Sequence, residues 1–66
     1  MPSTVIRSYS YNADDETLTI TFTTGKVYRY FKVKETEYYE FKMAHSKGIH
    51  FNKLIKPNHS FKELTN

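Results

Sequence analysis

Residues 17–23 read Thr-Leu-Thr-Ile-Thr-Phe-Thr, and this strict period of two fits a half-buried strand and no helix. Residues 27–31, Val-Tyr-Arg-Tyr-Phe, are β-branched and aromatic and supply a return strand. Gly25 lies between the two, where a tight hairpin needs a residue that adopts positive φ without steric cost. A two-residue Thr24-Gly25 turn of type I′ also demands positive φ at the β-branched Thr24. A three-residue Thr23-Thr24-Gly25 loop puts only the glycine in the left-handed region and closes with a bulge. The second geometry is expected.

The choice fixes the faces, because a one-residue slip turns every side chain over. In the expected register Ile20 lies opposite Tyr28 and Leu18 opposite Tyr30. Leu18, Ile20, Phe22, Tyr28 and Tyr30 then share the core face, while Thr19, Thr21, Val27, Arg29 and Phe31 take the other. The rival register leaves both tyrosines with the threonines as an exposed platform.

Upstream, residues 5–11 alternate with Val5, Arg7, Tyr9 and Tyr11 on one face and Ile6, Ser8 and Ser10 on the other, a first strand. The loop Asn12-Ala13-Asp14-Asp15-Glu16 is rich in residues that bond back to their own backbone. It lacks the alternating ligands and bend glycine of a calcium loop, so it is read as a solvated turn. After Val33 the period changes. Over residues 36–45, Tyr38/Phe41/His45 and Tyr39/Met43 fall at helical spacing. Glu35 and Glu37 near the start and Lys42 near the end complement the helix dipole. Ser46-Lys47-Gly48 breaks this helix, Ser46 is a good N-cap for a second over residues 47–55, and Pro57 ends it. His59 to Leu64 brings Phe61 and Leu64 as a last apolar contact, as a short helix, strand or ordered tail, and Thr65 and Asn66 are expected to fray.

The expected fold is therefore α+β over residues 1–66 as a single domain. A three-stranded antiparallel meander is followed by two helices packed on one sheet face, in the order β-β-β-α-α. With 66 residues the core is small, and six tyrosines and five phenylalanines must fill most of it. There is no cysteine, hence no disulfide and no thiolate metal site. No apolar run approaches a membrane span, Met1-Pro2-Ser3 does not open a signal peptide, and a cytoplasmic location is expected.

Catalysis finds no support. The sequence has no nucleophile motif and no carboxylates arranged to separate their pKa values. His45, His50 and His59 lack the i, i+3 or i+4 spacing that puts two metal ligands on one helix face. No cofactor and no metal is expected. Ten Lys and Arg against seven Asp and Glu give a net charge of +3, a mild excess that suits an anionic partner or simply a soluble surface. Two features sharpen the first reading. The Ser46-Lys47-Gly48 corner offers backbone N–H groups at a helix start, with Lys47, Lys53 and Lys56 beside it, as a phosphate cradle or merely as a capped turn. Cations and rings interleave in Lys26-Val27-Tyr28-Arg29-Tyr30-Phe31-Lys32, as in surfaces that stack single-stranded bases or, equally, as core rings with solubilising flanks.

These residues also carry a family resemblance. Tyr28-Arg29-Tyr30 resembles the central Tyr-x-Tyr of the KTSC domain, named for the C-terminus of some lysyl-tRNA synthetases. Ile6, Tyr11, Leu18-x-Ile20-x-Phe22, Gly25 and Val33 fit the same frame, as do Ala44-x-Ser46-x-Gly48-x-x-Phe51-Asn52 and Ile55. Lys34 stands where a proline is often found, and Asn12 where an aspartate is common. The resemblance covers nearly the whole chain and carries over Tyr28, Tyr30, Ser46, Gly48, Phe51 and Asn52. It implies a small module with no established activity, found free-standing in bacteria and phages or attached to a tRNA synthetase, with RNA binding as the role that association points to.

The functional expectation is a non-enzymatic accessory module that binds tRNA or other structured RNA through phosphate contacts. Arg29, Lys47 and Lys53 would supply charge, Ser46, Gly48 and Asn52 polar contacts, and Phe31 a stacking ring. The alternative is a protein-interaction module that docks on a larger enzyme or phage assembly through the uncovered sheet face, with Val27 and Phe31 as its apolar patch.

Overall fold

A computed structural model describes residues 6–64. Its elements are β1 (Ile6–Asn12), β2 (Thr17–Phe22), β3 (Val27–Tyr30), α1 (Glu35–Met43), α2 (Lys47–His50), a π-helical continuation (Phe51–Ile55) and β4 (Phe61–Glu63). The strands form one antiparallel sheet in the order β1-β2-β3-β4. The expected α+β layout of sheet and helices is present, but the sheet has four strands where three were expected. The C-terminal segment that the sequence left open returns as an edge strand, pairing Tyr28 with Glu63, Arg29 with Lys62 and Tyr30 with Phe61.

The central hairpin has the expected register, with Ile20 opposite Tyr28 and Leu18 opposite Tyr30. The Gly25 N–H donates to the Phe22 carbonyl at 2.9 Å and the Phe22 N–H to the Lys26 carbonyl at 2.8 Å, closing a three-residue loop. Gly25 sits at φ +95°, and neither threonine of the loop has positive φ. Glycine therefore absorbs all of the left-handed bend.

The first strand departs from simple alternation. Ile6 pairs with Phe22 and Ser8 with Thr21, so the register shifts across Arg7. This bulge turns Ile6 toward the core, beside Tyr9 and Tyr11, and leaves Arg7 exposed. Ile6 was expected to share a face with Ser8 and Ser10, away from Tyr9 and Tyr11; the bulge instead brings it to the core side with the two tyrosines. Val5 lies outside the described residues.

The core is Leu18, Ile20, Tyr30, Val33, Phe41, Phe51 and Ile55, all essentially inaccessible, and it joins the inner sheet face to both helical segments. Aromatic rings tie it together edge to face, as ring quadrupoles favour. Tyr30 meets Phe51 at 5.1 Å, and Phe41 meets Tyr9 at 5.1 Å. Tyr11 stacks on Tyr38 at 4.4 Å, and its hydroxyl donates to the Val33 carbonyl at 2.7 Å. Burial, and then Glu16, Glu35 and Glu37, raise the Tyr11 phenol above its ordinary pKa, so the donor keeps its proton.

Local chemistry explains the element boundaries. Asn12 Oδ1 accepts the N–H groups of Asp14 and Asp15 at 2.9 and 3.3 Å, the side-chain-to-backbone turn its type favours. Its Nδ2 also donates to Asp15 Oδ2 at 3.3 Å, a bond an aspartate there would not make. At the start of α1 the Lys34 N–H donates to Glu37 Oε1 at 3.0 Å, a bond that proline at this position would lack. The second helix becomes π-helical where Lys56 N–H reaches the Phe51 carbonyl, five residues back, at 2.8 Å. Pro57 follows immediately; its ring clashes with an α-helical carbonyl four residues earlier, and a widened last turn relieves that clash.

A histidine secures the return to β4. His59 Nδ1 lies 3.0 Å from the Phe31 carbonyl and Nε2 lies 3.0 Å from Glu37 Oε2. Both partners accept, so the ring satisfies them together only with hydrogen on both nitrogens. Burial opposes the charge on Glu37, but the Lys34 N–H and then His59 outweigh it and hold its pKa below the ordinary carboxylate value. One carboxylate thus joins the start of α1 to the segment entering β4.

Candidate functional site

The residues singled out in the sequence lie on three separate surfaces. Arg29 is exposed on the open sheet face, beside Thr19 and opposite Lys62, near a polar hollow edged by Asp14 and Asp15. Phe31 is half-buried and follows β3, its backbone engaged by Ser60 and His59. Ser46 Oγ accepts the Ile49 N–H at 3.5 Å as a cap, and Gly48 is buried inside α2. Lys47 is half-buried, whereas Lys53 is exposed beside Ile49 and Leu54. Asn52 faces a different opening altogether.

That opening lies between the tip of the β2–β3 hairpin and the π-helical segment. It is an open pocket of about 330 Å³, near the lower end of the range for small-ligand sites. Phe22, Tyr28, Tyr30 and Phe51 make its aromatic wall, with Phe22 5.4 Å from Tyr28 and 5.7 Å from Phe51. Lys26, Asn52 and Lys56, all exposed, stand at its rim with Thr23 and Thr24, and no carboxylate of the described residues lines it. Among the described residues neither Lys26 nor Lys56 has an acidic partner within ion-pair distance. The hairpin loop delivers Lys26 to the rim, and the unwound helix end delivers Asn52 and Lys56.

The two tyrosines of the Tyr-x-Tyr motif divide their work. Tyr30 is 1% exposed, and burial, with Tyr28 second, raises its phenol above its ordinary pKa, so it is a protonated core residue. Tyr28 is half-buried on the same face and remains reachable from the pocket. Sequence reasoning set core against contact surface as exclusive alternatives and so missed Tyr28, Lys26 and Lys56 as one group. A signal was present: Phe22 and Tyr28 share the inner face at the loop end of the hairpin, next to Lys26.

The four-strand sheet with this aromatic pocket defines a small α+β module, and the comparisons with known proteins agree. The KTSC domain sequence model matches residues 2–61, and the chain belongs to that family. The crystal structure of a KTSC domain protein from Yersinia pestis superposes with a TM-score of 0.88 at 32% identity, covering 98% of this chain and 92% of that one. A lysine–tRNA ligase of Nostoc punctiforme is 46% identical over 61 residues, which are 92% of this chain but 11% of the ligase. An uncharacterized protein of Stutzerimonas stutzeri is 34% identical over 59 residues, 89% of this chain and 83% of that protein. The chain thus spans about a tenth of the ligases it matches and most of the small relatives.

Proposed function

We propose that this KTSC domain is a non-catalytic RNA-binding accessory module whose contact surface is the rim of the aromatic pocket. The observation that carries the proposal is the pairing of Lys26 and Lys56, free of acidic partners among the described residues, with reachable aromatic rings and no lining carboxylate. Cations beside rings are the recurring chemistry of RNA surfaces, where phosphates are neutralised and bases stack. Asn52 lies on this rim, whereas Lys53 opens on the separate hollow beside Ile49 and Leu54. Arg29 and Lys62 form a second cationic pair on the opposite sheet face and are not part of it. The similarity to a segment of lysine–tRNA ligases supports tRNA as the first RNA to test.

The test is an NMR titration of the domain with total tRNA at low salt. Amide signals of Lys26, Tyr28, Asn52 and Lys56 are expected to move. The affinity should fall by ~0.7–0.9 log units per log unit of salt for each phosphate contacted. An unchanged spectrum refutes the proposal.

Docking on a larger enzyme or phage assembly is the second reading, and one observation favours it. Ile49 and Leu54 are 55% and 48% exposed and flank a mostly apolar hollow with Ala44 and Lys53. Val27 and Phe31, by contrast, are half-buried, which moves the docking surface from the sheet to the helical side. Retention of tRNA binding in an Ile49→Ser, Leu54→Ser variant separates the two readings.

A further inference from the structure

We infer that the pocket is a receptor for a single unpaired nucleotide of an RNA strand, with the base set against Tyr28, its edge read by Asn52, and its flanking phosphates held by Lys26 and Lys56. The inference rests on the RNA-binding reading and assigns it a substrate class.

Three features select this ligand. First, the wall is aromatic and Tyr28 remains partly accessible, lying between Phe22 at 5.4 Å and Phe61 at 5.2 Å. A planar ligand gains by covering such a ring, and every base has a face to offer. Second, the side chain of Asn52 is exposed at the rim and makes no hydrogen bond among the described residues. A carboxamide presents a donor and an acceptor together, which matches the Watson–Crick edge of an unpaired base and not a simple anion. Third, two ammonium groups reach the pocket from different elements, Lys26 from the hairpin and Lys56 from the helix end. Cations reaching in from two elements suit a ligand with charge on two sides, as a nucleotide inside a strand has and a terminal carboxylate has not. The volume is small for a duplex element and adequate for one base. Base pairing would hide the edge that Asn52 faces, so the occupant is a loop, bulge or single-stranded residue. Glu63, the register partner of Tyr28 on β4, lies outside the pocket lining.

The experiment compares four probes by chemical-shift titration and fluorescence anisotropy at one low salt concentration: a single-stranded RNA tetranucleotide, the same tetranucleotide abasic at its second position, a free nucleoside monophosphate, and total tRNA. Each is tested with the wild-type domain, Tyr28→Leu, Asn52→Ala and Lys56→Gln. Asn52 and Lys56 are exposed, so the latter two variants keep the fold even if Tyr28→Leu disturbs it. Tighter binding of the intact tetranucleotide than of its abasic form by about tenfold, lost in Tyr28→Leu or Asn52→Ala, is expected. A monophosphate that binds as tightly as the tetranucleotide identifies a free nucleotide rather than a strand as the ligand and overturns the inference. If tRNA binds but the abasic and intact oligomers are equal and Asn52→Ala has no effect, the pocket inference fails while RNA binding stands. If no RNA binds, both fall.

Discussion

Replacing His59 tests how the carboxylate of Glu37 is used to fasten the C-terminal strand. The His59 side chain is 6% exposed and bridges two acceptors, each at 3.0 Å. His59→Ala deletes both bonds. It leaves the Phe31 carbonyl without this donor, and Glu37 keeps only the Lys34 N–H. A hydrogen bond to a charged group contributes about 1.5–3 kcal/mol, and an abandoned carbonyl costs about 1–3 kcal/mol if water cannot reach it. Glu37 is partly exposed and regains some hydration, so the lower ends of these ranges apply and the expected loss is about 2 kcal/mol. For a domain of this size that lowers Tm by roughly 8–16 °C. His59→Gln, whose amide can serve only one acceptor well, should recover part of the loss. The assay is chemical and thermal denaturation followed by circular dichroism, with amide exchange at Phe31 and Leu64, which donate to Ser60 and Val27, reporting on β4. The pH dependence carries the same logic. Because the pKa of folded Glu37 is depressed, its contribution is present above the unfolded carboxylate pKa and is lost as pH falls through the lower folded value. Wild-type stability should therefore drop below about pH 4–5, and His59→Ala should flatten that drop. A variant within about 0.5 kcal/mol of wild type with an unchanged acid limb would refute the bridging role.

Three further substitutions probe other parts of the fold. Gly25→Ala should cost about 1 kcal/mol in urea denaturation, purely from the backbone at φ +95°, because an added Cβ meets nothing within 4 Å; Gly25→Asn should cost less. Phe41→Ala empties the centre of the core, and a loss of about 3–5 kcal/mol should leave the domain largely unfolded at room temperature by near-ultraviolet circular dichroism. Tyr11→Phe removes the donor to the Val33 carbonyl while preserving the stack on Tyr38, and about 1 kcal/mol of stability should go with it in the same denaturation assay.

The legible part of the fold was the part specified locally. A run of alternating threonines, one glycine and a β-branched return strand determine a register without help from distant residues, and the observed Leu18–Tyr30 and Ile20–Tyr28 pairs follow from them. The first helix is legible for the same reason, since its apolar spacing and acidic start are contained within Glu35–Met43. What escaped depends on contacts across the chain. Phe61–Glu63 is short and carries two charges, so its strand conformation comes from the free edge of β3 that receives it. The bulge at Arg7 likewise has no local marker, because it exists to bring Ile6 over Phe22. The candidate site escaped for a related reason. Lys26 and Lys56 are thirty residues apart in number, and only the fold sets them around one opening.

The division between Tyr28 and Tyr30 bears on what a motif of alternate tyrosines is for. Two residues apart on a strand, both rings point to the same face, so a single selection for aromatic character at that face cannot distinguish them. Their surroundings do. Tyr30 packs against Phe51 and Phe61 and belongs to the inaccessible core. Tyr28 sits two residues nearer the hairpin tip, only partly covered, where Lys26 and Lys56 line the same opening. A ring that served packing alone would have no use for cations free of acidic partners among the described residues at its margin, and a ring that served contact alone would not need Tyr30 wedged behind it. The measurable consequence is an uncoupling: Tyr30→Ala should cost folding, by about 3–5 kcal/mol as for other buried aromatics, whereas Tyr28→Leu should leave most of the stability and remove the preference for a base-bearing strand. Loss of folding of equal size in both variants would show that the motif is scaffold throughout, and the pocket would then be no more than the gap between a hairpin and a helix end.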